Sequence, residues 1–243
     1  MKRIIKKIFE KIGYEIIPLK FPVDMEEEFK EIYSQCRFFS MTSRENMYAL
    51  YNAVKYLAKN NIPGDLVECG VWKGGSAMLM AYALNPKNRN IYLYDTFSGM
   101  AEPETVDQQL ADSASARDIW QKTKQKNHNS WCFASLSEVN DNLLKTGYPP
   151  QKIFLIEGRV EETIPQIMPK EIALLRLDTD WYKSTKHELE HLFPRLVPGG
   201  VLIIDDYGSW AGAQKAIQEY RQENKIKMLL TRIDGTARLG IKI

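Results

Sequence analysis

Cysteine, histidine and long apolar runs are all scarce in this chain of 243 residues. The three cysteines, Cys36, Cys69 and Cys132, are far apart and form no C-x-x-C pair, which argues against a disulfide framework and against a zinc site. No apolar run is long enough for a signal sequence or a membrane span. We therefore expect reduced, cytoplasmic chemistry.

Charge of one sign is also lacking, because 33 lysines and arginines balance 31 aspartates and glutamates and leave a net charge of +2 at pH 7. This balance gives no electrostatic basis for nucleic acid as a partner. Basic residues do concentrate in residues 1–13, where a helical projection gathers apolar side chains on one face. We expect residues 1–13 to pack on the domain or on a partner subunit, and the alternative is weak contact with a membrane surface.

Residues 65–81 are the most informative stretch, since a short apolar run gives way to glycines and then to a helical pattern. Glu68 lies in the run, which stops at Gly70, and Gly74 and Ser76 open the helical part. A strand, a glycine-rich turn and a helix in this order bring backbone N–H groups against a ligand. The spacing is neither the dinucleotide-binding G-x-G-x-x-G nor a phosphate-binding loop. It predicts a cofactor site, with a purely structural turn as the alternative.

Apolar runs alternate with helical patterns along most of the chain, which predicts an α/β fold with a doubly wound, mostly parallel sheet. We expect residues 1–60 to form an N-terminal helical appendage and residues 61–243 to form the main domain. The predicted strands after the first are Ile91–Asp95, Ile153–Glu157, Ile172–Asp178, Val201–Asp206 and a final, antiparallel edge pair, Ile226–Thr231 and Ala237–Ile243. The predicted helices include Ser43–Lys59, Ala116–Lys126, Ser184–Leu196 and Gly212–Glu223.

A polar stretch at residues 101–131 interrupts this alternation and turns helical near its end. Long insertions in compact domains usually carry function. We interpret this one as a lid over the ligand site, and the alternative is an ordinary solvated excursion.

Acidic side chains follow two of the predicted strands at the points where the apolar runs end. Asp178 follows L-L-R-L, and the pair Asp205 and Asp206 follows G-G-V-L-I-I. The carboxyl ends of parallel strands share one edge of the sheet, and three oxygen ligands with open positions suit Mg²⁺ or a related hard cation. Asp180 competes with Asp178 for the third ligand position, and we prefer Asp178 because it lies at the strand end. The alternative is that these acids only cap helices and fix loops.

A divalent ion at this edge would be able to activate a hydroxyl group as a nucleophile. Coordination lowers the pKa of a hydroxyl group, and a nearby carboxylate can then accept its proton. Asp178 is the residue that we expect to act as this base.

The chain resembles the macrocin O-methyltransferase family, which methylates sugar hydroxyls. The resemblance covers about four fifths of the chain and rests on M-T-S-R-E-N-M-Y, D-L-V-E-C-G-V-W-K-G-G-S, L-Y-D-T-F-S-G-M, G-R-V-E-E-T-I-P, L-D-T-D-W-Y-K-S-T and I-I-D-D-Y-G-S-W-A-G-A. It implies a seven-stranded class I methyltransferase fold, a homo-oligomer, and S-adenosylmethionine and Mg²⁺ as cofactors. By the same resemblance, Asp178, Asp205 and Asp206 hold the metal. The implied S-adenosylmethionine-binding residues are Thr42, Ser43, Arg44, Glu68, Gly70, Gly74, Ser76, Asp95, Arg159 and Glu161.

The acceptor is less well defined by the sequence than the chemistry. We expect a small molecule or glycan: a sugar hydroxyl of a glycosylated natural product, of a nucleotide sugar or of a surface glycan. The alternatives are a catechol-like acceptor, a non-catalytic cofactor-binding protein, and an NAD-linked oxidoreductase. Trp72 and Trp210 flank the glycine turn and the acidic pair, where each could line the site or simply pack.

Overall fold

Seven strands form one mixed sheet in the order β3-β2-β1-β4-β5-β7-β6. The structure is a computed structural model that describes residues 20–111 and 115–243. Strands β1 to β5 pair in parallel, and β7 runs antiparallel to both of its neighbours. The strands are β1 Asp65–Cys69, β2 Ile91–Asp95, β3 Ile153–Glu157, β4 Ile172–Leu177, β5 Leu196–Ile204, β6 Thr231–Arg232 and β7 Arg238–Ile241.

Helices occupy both faces of the sheet, which confirms the doubly wound α/β prediction. Serine side chains mark three of the helix starts, since Ser43, Ser115 and Ser135 each accept a hydrogen bond from the backbone N–H three residues on. The helices of the described residues are α1 Glu27–Cys36, α2 Arg44–Lys59, α3 Gly75–Ala83, α4 Ala116–Thr123, α5 Leu136–Leu144, α6 Val160–Thr163, α7 Tyr182–Leu192 and α8 Ala211–Glu223.

The central strands are buried on both faces, as expected for a parallel sheet between two helical layers. Every residue of β4 is buried, and neighbouring residues of β1 serve different sides. Leu66 packs with α1, α2, α3 and α5 in one core, while Val67 packs with α6, α7 and α8 in the other. Residues 25–57 therefore contribute directly to one of the two cores, and a domain boundary at residue 60 stays a prediction.

The last predicted strand pair is only partly correct. Strand β7 matches the prediction closely, but residues 226–230 are not strand, and β6 is limited to Thr231–Arg232. The chain is still turning away from α8 there, because the Ile226 N–H donates to the carbonyl of Arg221 at 2.9 Å and the Arg221 guanidinium donates to the carbonyl of Met228 at 2.6 Å. These local hydrogen bonds replace the strand pairing that the apolar pattern of Ile226–Thr231 predicted.

Within residues 20–111 and 115–243, no helix has the length and apolar character needed to cross a membrane. The expectation for residues 1–13 lies outside the described residues.

Candidate active site at the carboxyl ends of the strands

A cavity of about 340 Å³ opens beyond the carboxyl ends of the central strands. This volume is in the range of small-molecule sites, and the position is the one at which open α/β sheets bind ligands. The cavity brings together nine of the residues predicted from sequence: Thr42, Gly70, Ser76, Asp95, Arg159, Glu161, Asp178, Asp205 and Asp206.

The glycine turn between β1 and α3 has the predicted strand–turn–helix geometry. Gly70 has a φ of +84°, and a Cβ added to it would lie 1.8 Å from the carbonyl oxygen of Asp178. Gly74 has a φ of +86° and is the N-cap of α3. Gly70 is thus required first by the close approach of β1 and β4, which leaves the turn open toward the cavity.

Asp95 ends β2 and is held by the same turn. Its carboxylate accepts hydrogen bonds from the backbone N–H groups of Val71 at 2.7 Å, Trp72 at 3.0 Å and Phe97 at 2.8 Å. The side chain is therefore fixed in orientation at the edge of the cavity, as a ligand-binding carboxylate should be.

Glu68 is fully buried behind the cavity wall and does not line it. Its Oε1 accepts hydrogen bonds from the Ser76 hydroxyl and from Nη1 of Arg176, the latter at 2.8 Å. Burial raises the pKa of Glu68, while the Arg176 guanidinium opposes that rise. Ser76, on the first turn of α3, lies between Glu68 and the cavity.

The loop before α2 places its three predicted cofactor residues differently. Thr42 lines the cavity, whereas Ser43 caps α2 and donates a hydrogen bond to Asp234. The guanidinium of Arg44 pairs with Glu45 at 2.7 Å and does not line the cavity. The roles predicted for Ser43 and Arg44 stay predictions, and their side chains are already engaged elsewhere.

Beyond β3, Arg159 and Glu161 line the cavity on its other side, at the start of α6. They form an ion pair with an N–O distance of 3.2 Å. Both charges are partly exposed, so the pair can rearrange at low cost when a ligand enters.

The three predicted metal ligands form one cluster. Carboxylate oxygens of Asp178, Asp205 and Asp206 all lie within 4.8 Å of one another. Burial raises the pKa of Asp205 to about 7 and also raises that of Asp206, because the negative charges are close together and poorly hydrated. Three hard oxygen donors at this spacing, with their open side toward the cavity, fit an octahedral divalent cation such as Mg²⁺.

Asp180 lies beside this cluster in a left-handed backbone conformation, with a φ of +66°. Its N–H donates to Asp206 Oδ2 at 3.1 Å, and burial raises the pKa of its own carboxyl to about 7. Asp180 also lines the cavity. Asp178 belongs to the cluster of three carboxylates and Asp180 lies beside it, and the choice between them as metal ligand stays a prediction.

Arg176 is the main site residue that the sequence reasoning missed. It is the single charged residue of β4, is fully buried, and donates hydrogen bonds to the carboxylates of Glu68, Asp178 and Asp205. A charge inside an otherwise apolar run was the available signal, because strands buried on both faces admit a charge only when it is paired.

Three tryptophans form an aromatic wall next to the acidic cluster. The ring centroids of Trp131, Trp181 and Trp210 are 4.9 to 6.0 Å apart, and all three residues line the cavity. Of these, Trp210 was singled out from sequence as a residue that could line the site. The wall offers an apolar face beside the carboxylates.

The described part of the 101–131 segment borders this wall. The Trp181 indole N–H donates to the carbonyl of Ala101 at 2.9 Å. Asp107 is 2% exposed, and its carboxylate accepts the backbone N–H groups of Tyr182 and Glu104, each at 2.8 Å. The segment therefore lies against the starts of α7 and α8, and its role as a lid stays a prediction.

The strand order with an antiparallel β7, together with a ligand cavity at the carboxyl edge, defines a class I methyltransferase fold. Comparison with known families agrees, since a family model described as macrocin-O-methyltransferase (TylF) matches residues 30–239. The chain belongs to the macrocin O-methyltransferase family, as its sequence motifs predicted, and is an O-methyltransferase by that membership.

Individual relatives match most of this chain. One relative is an 8-demethyl-8-(2,3-dimethoxy-alpha-L-rhamnosyl)-tetracenomycin-C 4'-O-methyltransferase of Streptomyces olivaceus. The two sequences are 32% identical over 200 residues, and this alignment covers 81% of this chain and 73% of the relative. The chain is 29% identical to the mycinamicin III 3''-O-methyltransferase of Micromonospora griseorubida, over 80% of this chain and 75% of the relative. The solved structure of the O-methyltransferase NovP is similar with a TM-score of 0.72 and 27% identity, over 84% of this chain and 82% of NovP.

Proposed function

We propose that this protein transfers the methyl group of S-adenosylmethionine to a sugar hydroxyl with the help of Mg²⁺. The acceptor is a glycosylated natural product, a nucleotide sugar or a glycan. The observation that carries the proposal is the convergence of Asp178, Asp205 and Asp206 in the same cavity as the glycine turn and Asp95. The names of the relatives, which include a 4'-O-methyltransferase of a rhamnosyl-tetracenomycin, support the sugar acceptor.

The cofactor would occupy the part of the cavity between the glycine turn and α6. Asp95, already fixed by three backbone N–H groups, is the proposed partner of the ribose hydroxyls. Arg159 and Glu161 would border the adenine, and Thr42 and Ser76 would border the amino-acid end. Gly70 has no side chain, so the backbone at the end of β1 would be able to approach the ligand closely.

The acidic cluster would hold the metal through Asp178, Asp205 and Asp206. When bound, Mg²⁺ supplies Lewis acidity that lowers the pKa of the acceptor hydroxyl. Arg176 keeps Asp178 and Asp205 oriented toward the cavity, since its guanidinium binds one oxygen of each at 2.6 and 2.8 Å. The chain's residues thus supply both the metal ligands and the neighbouring positive charge that limits their mutual repulsion.

The chemical step needs one proton acceptor and an aligned nucleophile. The hydroxyl oxygen forms a bond to the methyl carbon as the carbon–sulfur bond breaks, the proton passes to a carboxylate, and S-adenosylhomocysteine leaves. We propose Asp178 as this acceptor, and Asp180 is its competitor because it lines the same cavity without an ion pair to Arg176. The tryptophan wall excludes water from one side and presents an apolar surface to a sugar ring.

The test of the proposal is the substitution Asp206→Asn. We expect it to abolish methyl transfer to a sugar acceptor, because a neutral amide weakens the metal site, while calorimetric binding of S-adenosylmethionine changes little. The matched control is Asp118→Asn, which alters an exposed acid on α4. Wild-type turnover by the Asp206 variant would refute the metal role, and loss of cofactor binding would show that the cluster serves the cofactor instead. A homo-oligomer and a cytoplasmic location stay predictions.

A further inference from the structure

Arg176 places a permanent positive charge at the centre of the site, with no exposed side-chain surface. A buried guanidinium is tolerated when fixed acceptors satisfy most of its donors. Both terminal nitrogens of Arg176 have acceptors, whereas its Nε has no partner among the described residues. The four partners of Arg176 come from four separate parts of the fold: Glu68 in β1, Asp178 after β4, Asp205 after β5, and Thr42 in the loop before α2.

The two terminal nitrogens divide these partners in a regular way. Nη1 donates to Glu68 at 2.8 Å and to Asp178 at 2.6 Å. Nη2 donates to Thr42 at 3.0 Å and to Asp205 at 2.8 Å. Each nitrogen therefore joins one carboxylate of the acidic cluster to a second group, which is Glu68 behind the cavity wall for Nη1 and Thr42 in the cavity lining for Nη2.

A guanidinium is planar and presents its N–H donors at fixed angles, so its contacts cannot shift independently. A movement of Asp178 or Asp205 toward a cation is passed through Arg176 to Glu68 and Thr42. A movement of Thr42 or Ser76 on ligand binding would be transmitted to Asp178 and Asp205 through the same contacts. Ser76 is included because its hydroxyl and Arg176 both donate to Glu68 Oε1.

We propose that Arg176 is a positioning residue that couples cofactor binding to metal binding, an inference that rests on the proposed function. Filling the metal site fixes Asp178 and Asp205 and thereby holds Arg176, Glu68 and Thr42 in the arrangement that receives the cofactor. By linkage, bound cofactor strengthens metal binding by the same factor. The coupling is positive, and at the lower end of the usual range it amounts to about fivefold.

The experiment measures calorimetric binding of S-adenosylhomocysteine, which cannot turn over, with saturating Mg²⁺ and with EDTA. The quantity compared is the ratio of the two dissociation constants. In Arg176→Lys the charge stays but the paired donors are lost, so we expect the ratio to fall from about fivefold or more to near one. The matched control is Arg89→Lys, which alters a half-buried guanidinium that binds the carbonyl of Gly64, just before the amino end of β1, and we expect the wild-type ratio.

A second variant keeps the inference testable if Arg176→Lys does not fold. Thr42→Val removes one of the four contacts and keeps the side-chain shape, and we expect it to reduce the ratio. An unchanged ratio in a folded Arg176→Lys, or in Thr42→Val when the lysine variant does not fold, would overturn the coupling. Wild-type protein that binds S-adenosylhomocysteine but no Mg²⁺ would overturn the metal part of the proposed function together with the coupling. Wild-type protein that does not bind S-adenosylhomocysteine would overturn the cofactor part of the proposed function.

Discussion

Asp107 attaches the 101–131 segment to the start of α7 through hydrogen bonds, and the substitution Asp107→Ala should weaken this attachment. The buried carboxylate accepts two backbone N–H groups, from Tyr182 and Glu104, at 2.8 Å each. A hydrogen bond to a charged group contributes about 1.5 to 3 kcal/mol net. Burial of the carboxylate, which raises the pKa of Asp107, offsets part of the sum. We therefore expect the substitution to weaken the attachment by about 2 to 4 kcal/mol.

The most direct assay is hydrogen exchange of the two amides concerned. A loss of about 2 to 4 kcal/mol corresponds to exchange that is roughly 30- to 700-fold faster at Tyr182 and Glu104. Asp107→Asn should give a smaller effect, because the amide oxygen still accepts one bond. Gly212→Ala should act in the same direction as Asp107→Ala, since its Cβ would lie 1.8 Å from Asp107 Oδ1. The exposed Asp118→Asn serves as control.

The acceptor kinetics extend this test to function. If the 101–131 segment acts as a lid, Asp107→Ala raises KM for the acceptor, because closure over the bound ring is lost. Unchanged exchange at both amides would refute the anchoring argument itself. Faster exchange with unchanged kinetics would keep the anchor and refute the lid.

Two further predictions concern the carboxyl groups of the site. Asp180→Asn should keep metal binding and lose less than about tenfold in turnover if Asp178 is the base, and retained metal binding with abolished turnover would transfer that role to Asp180. Burial raises the pKa of Asp180 and Asp205 from 3.8 to about 7. Between pH 3.8 and about pH 7, the metal-free folded state therefore binds more protons than the unfolded state. The contribution of the two groups to stability is therefore lost as pH rises through that window, and Mg²⁺ should increase Tm more at pH 8 than at pH 5. An equal increase in Tm on addition of Mg²⁺ at pH 8 and at pH 5 would contradict this prediction.

Local patterns in the sequence were sufficient for most of the fold. The first strand, its glycine turn and the acids after β4 and β5 are short-range features, because an apolar run predicts a buried strand and the acid that follows it marks the end of that strand. The same reasoning failed at residues 226–230, where side-chain and backbone bonds from the end of α8 replace strand pairing. The apolar faces of residues 25–57 pack into one of the two cores of the sheet, and the division of the chain at residue 60 stays a prediction.

The site was predictable in its residue types and not in its connections. Arg176 meets Thr42 across 134 positions of the chain and Glu68 across 108, and no local pattern carries that information. Ser43 and Arg44 show that proximity along the chain is not sufficient either, since of the three adjacent residues Thr42, Ser43 and Arg44 only Thr42 lines the cavity. Contacts between residues that are far apart in the sequence are therefore the part of the site that local sequence patterns could not predict.

The most direct test of the account is release of S-adenosylhomocysteine from S-adenosylmethionine in the presence of candidate acceptors. The acceptors are deoxysugar glycosides, nucleotide sugars and catechols, each assayed with Mg²⁺ and again with EDTA. We predict turnover on a sugar acceptor that is lost in EDTA and restored by added Mg²⁺. Turnover that is unaffected by EDTA, or that occurs on catechols and on no sugar, would contradict the central claim.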